Sequence, residues 1–333
     1  MLRAKEIDII RTLVILALVL YHSLAPFTGG WAPLWTEPRT YSPVFEWLGH
    51  IAYAGMLETF VAISGYVFYL AETKRKEPQS AAALVKSKFQ RLVVPALLWG
   101  VAYWLLFSGG NLASGLWRVV NGIGHLWFLP MLFWCFLLEK FVVLKYDVQL
   151  WILAIIAVLP YPALPFSFNS SLYYLFFFHV GAMLFKHREQ LISRANRTNM
   201  FYLLALALPL LIINVELQHS IDLPSMSFWP KRAIICLLTS LRFVYSLAIV
   251  LAYFIIGIKL RDTRIYSAFR FIAECSFGIY LLQEFIIRFF YYHTTFFHSC
   301  EPLLPLLGFM SGFLISLIIV AIVRKTRFGR HFF

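Results

Sequence analysis

Charge is what this chain has least of. Only 14% of its 333 residues are Asp, Glu, Lys or Arg, against about 25% in a soluble domain, while 61% are hydrophobic. So many apolar side chains cannot all be hidden in one aqueous core, so lipid must be the solvent for many of them. Cysteine is scarce too. Cys135, Cys236 and Cys275 sit inside apolar runs and Cys300 in a short loop, with no C-x-x-C or Cys/His ligand spacing. Neither a disulfide framework nor a metal site is therefore expected. No internal repeat is visible, and Glu6 and Asp8 interrupt what would be a leader, with no small-residue cleavage site after it. Acidic residues number 16 against 29 Lys and Arg, a net charge of +13. That excess does not indicate nucleic acid, because the basic residues cluster briefly between apolar runs, as membrane topology is encoded.

What is present is hydropathy, with a mean of +0.75. A helix needs about 20 apolar residues to span the hydrocarbon core. The pattern predicts an all-α integral membrane protein, a bundle of about ten helices near 9–28, 49–70, 92–107, 124–144, 149–165, 171–185, 200–215, 233–258, 271–290 and 304–323. Pro95, Pro130, Pro160, Pro162 and Pro165 should kink or end their helices. The whole chain, 1–333, reads as one membrane domain with no soluble domain appended. With ten spans, 22 basic residues fall in one set of loops, including Arg3, Lys76, Arg327 and Arg330. Only Arg39, Arg118, Lys231 and Arg232 fall in the other. That asymmetry predicts that both termini are cytoplasmic.

Ionisable residues inside such spans each cost about 2.5–3.5 kcal/mol at the bilayer centre, so each needs a partner, water or a task. Glu139, Glu274 and His179 fall near predicted helix ends, where the interface is within reach. Glu284 and Arg288 are four apart and suited to neutralise each other. Arg11 and His22 differ by eleven residues, just over three turns, and so project from one helix face about 16 Å apart along the axis. A topology anchor and a satisfied core histidine would explain them singly; one polar stripe would explain both. Glu58 has no charge in its own segment to pair with, and its depth matches that of His22. A carboxylate there is expected to orient the imidazole. The Ser64-Gly65 pair after it suits close approach of a neighbouring helix. Lys88 and Arg91 are three apart, on one face if the third helix begins there, and read either as topology signals or as a seat for phosphates. His125 and Trp127 should lie near the outer interface, where Trp is usually a belt residue.

Together these segments resemble the acyltransferase 3 family of membrane O-acyltransferases. IDIIRTLVILALVLYHS carries an Arg-x10-His signature in Arg11 and His22, and ETFVAISGYVF an acidic residue six before Ser64-Gly65 with Tyr66 after it. KFQRLVVP resembles an Arg-x-x-Arg stretch with Lys88 for the first arginine, HLWFLPMLF a Trp-Phe-Leu segment, and SFGIYLLQ a late Ser-x-Gly-Ile-Tyr-Leu element. Gln283 stands where a histidine is common in that family.

The resemblance implies transfer of an acyl group, commonly acetyl from acetyl-CoA, to a hydroxyl of an extracytoplasmic or lipid-linked glycan at the bacterial inner membrane. Acyl-CoA, the glycan acceptor and the bilayer are the implied partners, and the oligomeric state is left open. In that reading Lys88 and Arg91 hold CoA phosphates, Arg11 flanks the donor's path, and His22 is the general base or a transient acyl carrier. Glu58 supports His22, and His125 and Trp127 lie on the acceptor side. A transporter or flippase for a glycan precursor, or a scaffolding subunit, would share the helices and buried charges.

Overall fold

The computed structural model describes residues 4–37, 39–75, 77, 79–195, 197–295 and 301–326. Arg3, Lys76, Cys300, Arg327 and Arg330 lie outside them. The protein is 81% helix, with no strand among the described residues. The helices run α1 (Lys5–Leu24), α2 (Ser42–Tyr53), α3 (Met56–Thr73), α4 (Ala81–Lys88), α5 (Val94–Tyr103), α6 (Leu112–Val120) and α7 (Phe128–Leu138). Then come α8 (Leu150–Val158), α9 (Phe168–Lys186), α10 (Arg188–Ala195), α11 (Met200–Ser220), α12 (Phe228–Leu260), α13 (Tyr266–Tyr292) and α14 (Leu304–Val323).

Among the described residues eight stretches are long and apolar enough to cross a bilayer: Lys5–Leu24, Ser42–Thr73, Ala81–Ser108, Gly124–Val143, Pro165–Lys186, Met200–Ser220, Phe228–Leu260 and Glu301–Val323. Two expected spans are missing from that set. The one at 271–290 lies within α13, whose 27 residues are long enough but carry Arg270, Glu274, Glu284 and Arg288. The one at 149–165 is helical only over the nine residues of α8, because Pro160 and Pro162 cannot continue it.

Residues fall into two compact units: those up to Leu57 with those from Tyr253 onward, and Glu58–Ala252. In the first, α1 packs against α2, α13 and α14. It starts and stops four residues earlier than hydropathy suggested, because Pro26 ends it and a turn follows. Glu6 and Asp8 are buried in its first turn, where Tyr266 Oη donates to Asp8 at 3.0 Å. Nearby, Lys5 donates to Asp262 at 3.0 Å, and that hydrogen bond, with a second from Arg261, holds the Asp262 carboxyl below its usual range. Thr12 Oγ1 donates to the Phe269 carbonyl at 2.7 Å, tying α1 to α13.

In the second unit α3 and α9 touch backbone to backbone. A Cβ on Gly65 would collide with the Phe178 carbonyl, and one on Gly181 with the Ala62 carbonyl. The small Ser64-Gly65 pair therefore does what its composition suggested. The third expected helix starts at Ala81, capped by Ser80 Oγ on Ala83 N–H at 3.3 Å. It passes through a π-helical turn, Phe89–Val93, just before Pro95. Another π turn, Trp104–Ser108, follows α5, and a third, Glu139–Val143, extends α7.

After α7 comes the short α8, followed by an irregular link over 159–164. The link returns the chain to the start of α7, where Phe166 N–H donates to Asn121 Oδ1 at 2.7 Å and Ser167 Oγ to the Asn121 carbonyl at 3.1 Å. Its part-buried carbonyls at Pro160 and Tyr161 accept from Arg232 Nη1 at 3.0 and 3.5 Å.

Candidate active site

His22 occupies the last turn of α1 and is 6% exposed. Both its ring nitrogens face α13. Nδ1 lies 2.6 Å from the amide nitrogen of Gln283, and Nε2 lies 3.6 Å from Glu284 Oε2. The other Glu284 oxygen accepts from Arg288 Nε at 2.8 Å. The Arg288 guanidinium sits 4.2 Å from the centre of the Trp31 ring, and that ring stacks on His22 at 5.7 Å and 20°. The result is a closed circuit of imidazole, carboxylate, guanidinium and indole. The turn after Pro26 makes it possible, since Trp31 N–H donates to the Ala25 carbonyl at 3.2 Å and folds the indole back over α1. Glu284 and Arg288 do pair, as their spacing suggested, but the carboxylate also serves His22. Arg11 lies three turns back on the same face of α1, half-buried.

Glu58 is 1% exposed at the start of α3. Its Oε1 accepts from Tyr173 Oη at 3.0 Å and from Arg242 Nε at 3.0 Å, with Arg242 Nη2 also at 2.9 Å. Arg242 Nη2 donates further to Tyr174 Oη at 2.9 Å. Glu58 Oε2 is buried with no partner among the described residues. Within its own unit Glu58 is held by Arg242 and Tyr173, and within the other Glu284 is the carboxylate facing His22. Trp127 joins the Glu58 group through Tyr174, its ring 6.1 Å from that tyrosine. His125 is buried and meets Tyr103 edge-on at 6.3 Å.

Lys88 precedes the Phe89–Val93 π turn, Arg91 lies within it, and the two behave differently. Lys88 Nζ sits 3.6 Å from the centre of the Phe136 ring, whereas Arg91 is exposed. Glu139 begins the π turn near the end of its span, is fully buried against protein, and lies 2.9 Å from His179 Nδ1. Glu274 keeps to the expected pattern, partly exposed and paired with Arg270 at 3.1 Å and Arg324 at 3.5 Å.

Residues 4–325 match the family model described as an acyltransferase domain, acyltransferase 3. The chain belongs to the acyltransferase 3 family. Neither a curated protein nor a solved structure gives a match. As a member of that family the chain is a membrane acyltransferase, and its motif residues can be set against the geometry. The Arg11 and His22 signature ends in the imidazole of the circuit above. The late SFGIYLLQ element delivers Gln283 to His22 Nδ1, with Glu284 next to it. The Glu58 motif fixes both the ion pair and, through Gly65, the seat of α9.

Sequence reasoning missed Gln283, Tyr173, Tyr174 and Arg242 as members of these groups. One signal could have found Arg242. Among the intramembrane ions, Glu58 and Arg242 both lacked an opposite charge three or four residues away, and burial in lipid obliges such groups to find each other.

Proposed function

We propose that this chain is an O-acyltransferase moving an acyl group, acetyl foremost, from cytoplasmic acyl-CoA to a hydroxyl of an extracytoplasmic or lipid-linked glycan in the bacterial inner membrane. The observation that carries this reading is the buried His22 ring, held at Nδ1 by an amide and faced at Nε2 by a carboxylate. A general base needs an oriented ring and a stabilised cation. Gln283 serves the first need and Glu284 the second, while Arg288 holds the carboxylate in place at 2.8 Å.

In the proposed step His22 takes the proton of the acceptor hydroxyl as that oxygen attacks the thioester carbonyl. The C–S bond breaks, and the imidazolium returns the proton to the departing CoA thiolate. Arg91 binds a donor phosphate from the cytoplasmic side with Lys88 beside it, and Arg11 lies along the donor's path. On the acceptor side Trp127 and Tyr174 offer aromatic faces for a sugar ring, with His125 close by. Glu58 Oε2 accepts from a sugar hydroxyl.

Ten crossings with both termini cytoplasmic fit this scheme. Two additions to the eight apolar spans complete the count. Helix α13 has its acids neutralised at i,i+4, and the broken α8 span has carbonyls satisfied by Arg232. Irregular backbone at membrane depth requires such satisfaction.

Mass analysis of surface glycans from cells with and without the gene tests the reaction. His22→Ala should remove the modification, a loss of about 10²–10⁴ in rate for a general base alone. Asn or Gln at 22 should fail equally, since an amide cannot take the proton. A folded His22→Ala protein that modifies glycan at the wild-type rate would refute the mechanism and favour a transporter.

A further inference from the structure

Gln283 is fully buried, and His22 is its only hydrogen-bond partner among the described residues. Its Oε1 is buried with no partner of its own. No third group therefore pins the amide in one orientation. That matters because an amide presents a donor on one side and an acceptor on the other, while a neutral imidazole must place its one proton to match.

In the orientation observed, Gln283 Nε2 points at His22 Nδ1 and donates to it. Nδ1 then carries the lone pair, and the ring's proton sits on Nε2 facing Glu284 Oε2, 3.6 Å away. A ring in this state has nothing left to offer a substrate hydroxyl. One lone pair is occupied by the amide, and the other nitrogen bears hydrogen. Turning the amide over brings Oε1 to Nδ1, which must then hold the proton, and Nε2 becomes the base. Once Nε2 has accepted a proton, both N–H groups are matched, Nδ1–H by Gln283 and Nε2–H by Glu284.

We infer that Gln283 is a tautomer switch for His22: rotation of its amide exchanges donor for acceptor at Nδ1 and so decides whether Nε2 is blocked or ready to accept a proton. The inference rests on the acyltransferase reading above and makes Gln283 a positioning residue. A carboxylate at 283 would hold the proton on Nδ1 permanently, and a hydrocarbon would specify neither tautomer. Of the three, the amide alone serves both. The charged and titratable groups around the ring and its partners within this unit include Glu284, Arg288, Tyr280, Tyr291 and Tyr292 from α13, Tyr21 at 5.4 Å on α1, and Tyr53 of α2, whose ring touches Tyr21 at 4.6 Å. Helix α14 contributes no titratable side chain.

The test has two readouts on the full-length protein in detergent. Nitrogen-15 NMR of histidine-labelled protein, with the His22 signals assigned by their loss in His22→Ala, reports the tautomer directly. The isosteric Gln283→Glu should convert His22 to the Nδ1–H form or the cation, and Gln283→Leu should give a mixture of tautomers. Thiol release from acetyl-CoA across pH, with a glycan extract of the same cells supplied as acceptor, reports the consequence. A carboxylate beside the ring favours the imidazolium, so in Gln283→Glu the rising limb of kcat should move up by about one pH unit or more. Gln283→Leu should lower kcat at least tenfold with KM within about twofold, as removal of an orienting group does without loss of binding. Identical tautomers in wild type, Gln283→Glu and Gln283→Leu would overturn the switch. So would an unmoved pH limb. If the wild type releases no thiol at all, the acyltransferase reading fails, and the NMR still decides the switch.

Discussion

Replacing Arg242 by methionine would strand the Glu58 carboxylate where water cannot reach it. Glu58 is 1% exposed and accepts at Oε1 from Arg242 Nε at 3.0 Å and from Tyr173 at 3.0 Å. Without Arg242 only the phenol remains. An unpaired charge at a helix centre costs about 2.5–3.5 kcal/mol in a membrane, and breaking a buried pair from one side costs about 3–5. About 3 kcal/mol is therefore expected. The reverse change is milder. In Glu58→Gln the Arg242 side chain, 30% exposed, keeps Tyr174 and can draw water, so the loss should be about 1–2 kcal/mol, near that of one charge-assisted hydrogen bond. The double variant Glu58→Gln/Arg242→Met leaves no buried charge and should be more stable than Arg242→Met alone. Reversible unfolding of the purified protein by SDS titration, followed by tryptophan fluorescence, measures all four corners of the cycle. If Glu58→Gln destabilises as much as Arg242→Met, or if the two losses simply add, the stranded-charge argument is wrong.

Other expectations follow from single contacts. Arg91→Ala should weaken acyl-CoA binding more than Lys88→Ala, because Arg91 is exposed and can grip phosphate with two hydrogen bonds while Lys88 is committed to the Phe136 ring; calorimetric titration with acetyl-CoA checks the order, and equal losses would contradict it. Arg232→Ala removes the donor to the Pro160 and Tyr161 carbonyls, so it should cost about 1.5–3 kcal/mol. The exposed Arg118→Ala should cost little by the same unfolding assay. Single cysteines labelled from either side of the membrane should place 74–90 and 145–148 in the cytoplasm, with 29–48 and 161–164 outside. Labelling of 145–148 and 161–164 from the same side would mean that the broken span does not cross.

Much of the architecture was legible because it is local. Apolar run length marks a helix whatever its neighbours, so the eight apolar spans stand close to where hydropathy put them. The exceptions have local causes of another kind. Pro26 ends α1 at Leu24, the Pro160 and Pro162 pair stops α8, and π turns at Phe89–Val93 and Glu139–Val143 widen the helix where Arg91 and Glu139 sit. Helical periodicity assumes 3.6 residues per turn, and a π turn breaks that assumption within five residues.

By itself, then, the sequence determined that this is a helical membrane protein, which spans carry charge, and that Arg11 and His22 share a face, since all three depend on composition and spacing along one helix. Only the tertiary structure decided which charges meet. His22 and Gln283 are 261 positions apart, and Glu58 and Arg242 are 184. Electrostatic and hydrogen-bond energies depend on separations of a few ångströms, and periodicity within a helix says nothing about the face another helix brings to it. Glu58 and Glu284 are both carboxylates on membrane helices; packing alone gave one an arginine and two tyrosines, and set the other against the imidazole of His22.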